Sequence, residues 1–214
     1  AGNGMYSHGI GALAMVEAYG VTKDNEIRPY AQAAIDFIAD SQHEEGGWRY
    51  RPNERGDLSV SGWFIMALVS AEMSGLNVNK ETMERAIKFL DRVSGGKDGG
   101  SYGYTDSPGK RNSGKNALNA VGFFCSQILG RSPNTKKAFE SANLIDAAGF
   151  QLNDIYYVYY GTLAAYQHQG PVWEKWLDQM QNKFVSSQLN DGSWPVGAGH
   201  GNQMGKYIAS ALVT

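Results

Sequence analysis

The chain reads as an all-α protein made of repeated helix pairs in two concentric layers, and three observations predict this. First, the skeleton Gln42-x3-Gly46-x-Trp48 returns as Gln188-x3-Gly192-x-Trp194, with weaker copies ending at Tyr102 (DGGSYGY) and Phe150 (AAGFQL). The aromatic spacings of 54, 48 and 44 residues mark a stack of supersecondary units, each burying its apolar face against the next. Second, almost uncharged, aromatic-rich segments such as SVSGWFIMAL and IYYVYYGTLAAY alternate with amphipathic ones carrying, for example, Glu81, Glu84, Arg85 and Lys88. A helix without a charged face is best buried, so the uncharged segments should line the centre and the amphipathic ones the outside. Third, the chain shows no period-2 strand of useful length, while many of its 27 glycines cluster in loops such as 94–100 and 196–201.

The elements follow in order. Ile10 to Tyr19 has helical spacing, is under way from about Tyr6, and is expected to stop at Gly20. Pro29 opens the second helix, with Ala31, Ala34, Ile35, Phe37 and Ile38 inward. Ser59 to Met73, ending at Gly75, and Lys80 to Val93, capped by Asn79, form the second pair. The third is Lys115 to Leu129 and Ser132 to Ala148, with Pro133 in the first turn. Ile155 to Tyr166 and Val172 to Leu189 make the fourth, and Gln203 to Val213 begins a fifth inner helix, nine helices in all. Ile65, Leu68, Val121 and Leu163 should be nearly dry.

At 214 residues the chain can bury a substantial core as one domain spanning 1–214. A net charge of -2 with 19% charged residues argues against a nucleic-acid footprint. No run reaches membrane-spanning length, so no transmembrane segment is expected, and the start lacks a signal-peptide pattern. Cys125 is the single cysteine, which excludes an intrachain disulfide; its apolar neighbours suit a buried, inert thiol. Both ends read as cuts, predicting about four and a half helix pairs excised from a larger protein, with flanking domains missing. The composition fits cytoplasm and envelope alike.

The two Gln-x3-Gly-x-Trp loops resemble the QW motifs of squalene-hopene and oxidosqualene cyclases. The alternating helices resemble the α/α toroid shared by those enzymes and by protein prenyltransferase β subunits. YSHGIGALAMVEAYG, GGWRYRP, GDLSVSGWFIMAL and DIYYVYYGTLAAYQHQG look like bacterial prenyltransferase/squalene-oxidase-repeat proteins. The resemblance covers nearly the whole chain and implies an α/α toroid, open where the ends are cut. In the bottom-up reading of the loop, Gln42 closes an outer helix and satisfies backbone groups at its end, a glycine turns the chain, and Trp48 plugs the junction.

The resemblance carries little reaction chemistry with it. Cyclases of this type protonate substrate through D-x-D-D at an inner-helix start, and Asp57-Leu58-Ser59-Val60 occupies the matching place. Ser59 stands where the proton-donating acid should be, and a hydroxyl stays essentially neutral, which disfavours a cyclase. The zinc of prenyltransferases needs Asp, Cys and His together. Here none of Asp57, Asp106, Asp154, Cys125, His8, His168 and His200 pairs at i,i+3 or i,i+4 spacing, so neither metal nor cofactor is expected. Ser61-Gly62-Trp63 is not a nucleophile elbow. Asp57 and Asp154 both precede inner helices, so toroid geometry would bring them to one end as an acid/base pair, or each simply caps its helix.

Aligning the inner helices on their small-apolar pairs sets His8, Trp63, Asn116, Tyr159 and Tyr207 at one height, and Tyr156, Tyr157, Tyr159 and Tyr160 cover several faces of one helix. The candidate catalytic residues are therefore Asp57, Asp154 and His8. The candidate ligand contacts are Trp63, Tyr156, Tyr159, Tyr160 and Tyr207. The expected function is a cyclase/prenyltransferase-like domain that binds an apolar, isoprenoid-like or saccharide ring compound. The alternatives are a noncatalytic interaction scaffold and a carbohydrate-active enzyme.

Overall fold

A computed structural model describes residues 4–106 and 116–194. Eight helices occupy these residues: α1 (Gly4–Thr22), α2 (Arg28–Asp40), α3 (Leu58–Ser74), α4 (Lys80–Arg92), α5 (Asn116–Ile128), α6 (Lys136–Ala148), α7 (Ile155–His168) and α8 (Gly170–Phe184). Among the described residues the only strands are the two-residue β1 (Ser94–Gly95) and β2 (Ser101–Tyr102), paired with each other. The expected ninth helix, Gln203 to Val213, lies outside the described residues.

The helices sort into two units. The first takes described residues 4–94 and 103–106, the second 95–102 and 116–194. In the first, α1 packs mainly on α3, with α2 against both and α4 against α3. In the second, α5 packs mainly on α7, α6 touches α5, α7 and α8, and α8 also meets α7. Uncharged helices thus pair with each other, and the amphipathic ones lie against them, as the charge pattern predicted. The chain is all-α with a repeating helix-pair arrangement.

Burial follows chemistry helix by helix. Most of α3 is buried, including Leu58, Trp63, Phe64, Ile65 and Leu68, whereas α4 buries only Thr82, Ala86, Phe89 and Leu90 and leaves Glu81, Glu84 and Lys88 exposed. Ile65, Leu68 and Val121 are dry, but Leu163 is half-buried. Phe37, expected inward, is 40% exposed and leans on the His8 ring at 4.5 Å.

The ends correct the sequence reading in several places: α7 runs past Tyr166 to His168, and α8 starts at Gly170, two residues before Val172. Gly20 does not stop α1, which runs to Thr22; Lys23, at φ 54, makes the left-handed turn, its N–H donating to Tyr19 O. Pro133 is not in the first turn of α6. Ser132 Oγ accepts from the Asn134 N–H, holding that stretch in a loop, and Thr135 in extended conformation caps the helix through Ala138 N–H at 3.1 Å. α8 ends at Phe184, five residues before Leu189, with a 3-10 turn over Val185–Ser187. There the Ser186 and Ser187 hydroxyls bond back to the Asn182 and Phe184 carbonyls. Two other caps fall where the residue types place them: Asn79 accepts from Thr82 N–H, and Gly75 closes α3 at φ 80. Among the described residues no helix is long and apolar enough to cross a membrane.

The two Gln/Gly/Trp loops fold alike. Gln42 Nε2 donates to Gly46 O at 2.9 Å, and Gln188 Nε2 to Gly192 O at 2.9 Å. Gly46 and Gly192 sit at φ 94 and 82, the region that favours glycine. Trp48 Nε1 donates to Ile38 O at 2.9 Å, and Trp194 Nε1 to Phe184 O at 3.0 Å. One expected role therefore moves: the indole, besides filling the junction, satisfies the helix-end carbonyl, and the glutamine closes its own loop. Gln42 also reaches the next amphipathic helix, donating to Thr82 O and accepting from Arg85 Nε.

Candidate functional site

A cluster of polar side chains in the first unit gathers at the N-terminal end of α3. Asp57 stands just before this helix in extended conformation, and its Oδ1 accepts from Val60 N–H at 2.9 Å and from Ser59 Oγ at 2.7 Å. Ser59, at the position of a cyclase's acid, thus serves as a hydrogen-bond donor to Asp57. Tyr104 OH donates to Asp57 Oδ2 at 3.0 Å, and Arg49 Nε lies 3.6 Å from the same oxygen. The carboxylate is fully buried.

Burial pushes the Asp57 carboxyl above the usual carboxylate range, while Ser59, the Val60 N–H, Tyr104 and Arg49 pull it back. Tyr104 moves upward as well: burial, its bond to Tyr50 and the Asp57 charge all favour the neutral phenol. With every donor aimed at it, Asp57 acts as an anchor that orients its neighbours.

Those neighbours form a half-buried aromatic and cationic surface. Tyr50 OH and Tyr104 OH are 2.8 Å apart, and the Arg49 guanidinium lies 5.7 Å from both ring centroids. Tyr6 of α1 stacks on Tyr50 at 6.2 Å between centroids. Farther along the segment 103–106, Asp106 joins Arg55 and Arg92. Burial works against the charge there, but the two arginines outweigh it and hold the Asp106 carboxyl below its ordinary range. Arg49, Tyr50, Tyr104 and Tyr6 were not candidates from the sequence. The alternation Trp48-Arg49-Tyr50-Arg51 was the available signal, but nothing local ties it to Tyr104 or Tyr6.

The sequence candidates divide between the two units. His8, half-buried, donates Nε2 to Ala34 O at 3.0 Å and packs against Phe37 and Phe64. Trp63 is buried on α3. In the second unit Asp154 caps α7 through Tyr157 N–H at 3.0 Å. Tyr156, Tyr157 and Tyr160 are buried and Tyr159 half-buried; Tyr160 meets Tyr156 and Tyr159 ring to ring at 5.0 and 5.1 Å. Tyr207 lies outside the described residues. Asp57 and Asp154 each cap the helix that follows them.

Among the described residues no group of three or more His, Cys, Asp or Glu is arranged to hold a metal ion. Cys125 is fully buried, and burial pushes its thiol up to about 12, so it is unreactive near neutrality. No family model matches the chain, and no curated protein shows significant similarity to it.

Proposed function

We propose that the chain is an α/α-toroid domain of the cyclase/prenyltransferase-like group that binds a ring-containing small molecule with a polar rim, of which a saccharide is the favoured class. The toroid reading draws support from the pairing of uncharged helices with each other and from the shared geometry of the Gln42 and Gln188 loops. The binding reading rests on one observation: Arg49, Tyr50 and Tyr104 present a cation and two phenols on a buried carboxylate anchor. A sugar ring offers C–H faces for Tyr6 and Tyr50 and hydroxyls for Arg49 and the phenols. An isoprenoid would leave those polar groups unanswered. Asp57 then positions Tyr104 rather than transferring a proton.

A scaffold role has its own support, since α1 leaves Ile10, Met15 and Val21 exposed on an almost uncharged helix. One titration separates the two readings. Mono- and disaccharides and farnesol are added to the chain while the tyrosine ring resonances are followed by NMR. The proposal expects a saccharide to shift Tyr6, Tyr50 and Tyr104, and Tyr50→Ala to abolish the effect. It fails if no saccharide perturbs them, and farnesol binding alone would return the isoprenoid reading.

A further inference from the structure

Both phenol protons of the first-unit cluster are spent inside the protein. With Asp57 ionised, its oxygens only accept, so Tyr104 donates its single hydroxyl proton to Asp57 Oδ2 at 3.0 Å. At the 2.8 Å contact between the two phenols, Tyr104 is then the acceptor and Tyr50 the donor. The relay from Tyr50 to Tyr104 to Asp57 leaves only lone pairs on the phenol oxygens. Tyr50 therefore meets a guest as an acceptor.

Arg49 has the opposite balance. The nearest carboxylate oxygens, Asp57 Oδ2 and Glu54 Oε1, lie 3.6 and 3.8 Å from its Nε, beyond hydrogen-bond reach. Nε itself is buried with no acceptor among the described residues. The guanidinium lies 5.7 Å from both the Tyr50 and the Tyr104 ring centroids, an attraction that holds it in place. Asp57 already accepts from the Val60 N–H, Ser59 and Tyr104, and the Glu54 side chain is 37% exposed and screened. The two acids offset the charge of Arg49 but leave its donors unmet.

We infer that the guest of this surface is an acidic saccharide, a uronic acid or a chain of them, an assignment that rests on the saccharide reading proposed above. Its carboxylate meets the terminal nitrogens Nη1 and Nη2 of Arg49 as a two-point pair. A ring hydroxyl donates to the Tyr50 oxygen, and a C–H face rests on Tyr6, whose ring stacks on Tyr50 at 6.2 Å. A neutral sugar supplies the hydroxyl but not the two-oxygen acceptor that matches a planar guanidinium fork. Arg49, Tyr50, Tyr104 and Tyr6 are all half-buried, so each keeps surface for the guest.

Titration calorimetry of the full chain compares D-glucuronate and D-galacturonate with D-glucose, D-galactose and acetate, while the Tyr6, Tyr50 and Tyr104 resonances report the place of binding. At least one uronate should bind about tenfold or more tightly than its neutral counterpart, and raising the salt should shrink the difference. Arg49→Gln should bring that uronate down to the neutral sugar, and Tyr50→Phe should weaken acid and neutral sugar by the same factor. Neutral sugars bound as tightly as the uronates overturn the inference and leave the saccharide reading standing. So does a uronate preference that survives Arg49→Gln with the far-UV spectrum intact, or affinity untouched by Tyr50→Phe. Acetate bound as tightly as the uronates, or no tyrosine shift from any sugar, overturns the saccharide reading and the inference with it.

Discussion

Replacing Gly122 by alanine sets two opposed effects against each other inside α5. Alanine is favoured over glycine in a helix interior by about 1 kcal/mol, so an open position would gain stability. This position is not open: a Cβ there would press into the Tyr102 ring, and even the third-nearest ring atom, Cδ2, would be 2.6 Å away. The ring cannot easily retreat. Tyr102 is fully buried, its N–H donates to Asn119 Oδ1 at 2.8 Å, and the Lys137 ammonium lies 5.4 Å from its centroid. Overpacking of a fixed core costs typically ~1–3 kcal/mol, and so deep an overlap belongs at the upper end. The net is a loss of about 2 kcal/mol, or a Tm lower by roughly 4–8 °C for a chain of this size. Urea unfolding followed by circular dichroism measures it. The same change in a Tyr102→Ala background should stabilise instead, because the clash has gone and the propensity gain remains; the coupling energy is then about 3 kcal/mol. A neutral or stabilising Gly122→Ala in the parent chain would refute the reasoning, as would an equal loss in both backgrounds.

Two further outcomes rest on the loops. Trp48→Ala should cost ~3–5 kcal/mol through the cavity it leaves. Trp48→Phe should cost about 1 kcal/mol because the Ile38 carbonyl loses the indole donor and keeps only the Ser41 hydroxyl at 3.3 Å, and Trp194→Phe, at the less buried copy, should cost less, all read from urea midpoints. Glu140→Gln should lose about 1–2 kcal/mol after allowance for solvent screening, since an amide turns a donor toward one of the three loop N–H groups. Burial works against the Glu140 charge, but the Gly100, Asp98 and Lys97 N–H groups and the Lys97 charge outweigh it, so its folded pKa lies below the ordinary 4.5. The stability difference between parent and variant should therefore be complete above that value and shrink as pH falls through the folded pKa. A difference independent of pH would remove Glu140 from the anchoring role.

Periodicity and charge were enough to locate the eight helices of the described residues, because burial of an uncharged face is decided within one helix. α3 and α4 show the contrast most plainly: the segment without charges is buried nearly throughout, and the one carrying Glu81, Glu84 and Lys88 buries a single stripe. Helix ends were legible where one residue decides them, as at Asn79 and Gly75, and misread where neighbours compete. Ser132 and Thr135 both offer capping oxygens, and only the loop geometry chooses Thr135. The Asp57 cluster was half legible. Its acid is readable as a cap from local sequence, but Tyr104 is 47 residues away and Tyr6 is 51 residues before Asp57, and both arrive through packing.

The middle copies of the loop show why the repeat fades in sequence while its aromatic plug remains. Tyr102 and Phe150 are as buried as Trp48, yet neither loop has the glutamine. The loop must still satisfy its backbone groups and sit against the next amphipathic helix. In the first copy Gln42 does both, reaching Gly46 O and Thr82 O. In the second, the helix supplies the partner instead: Glu140 accepts three loop N–H groups, and Ser141 Oγ donates to Gly100 O. In the third, Gln179 Oε1 accepts from Phe150 N–H at 2.9 Å, and Lys183 donates to Phe150 O. Since the same contact can be made from either side, the glutamine is free to drift once α6 or α8 carries the complementary group. The aromatic side chain has no such substitute, because only a large ring fills the junction.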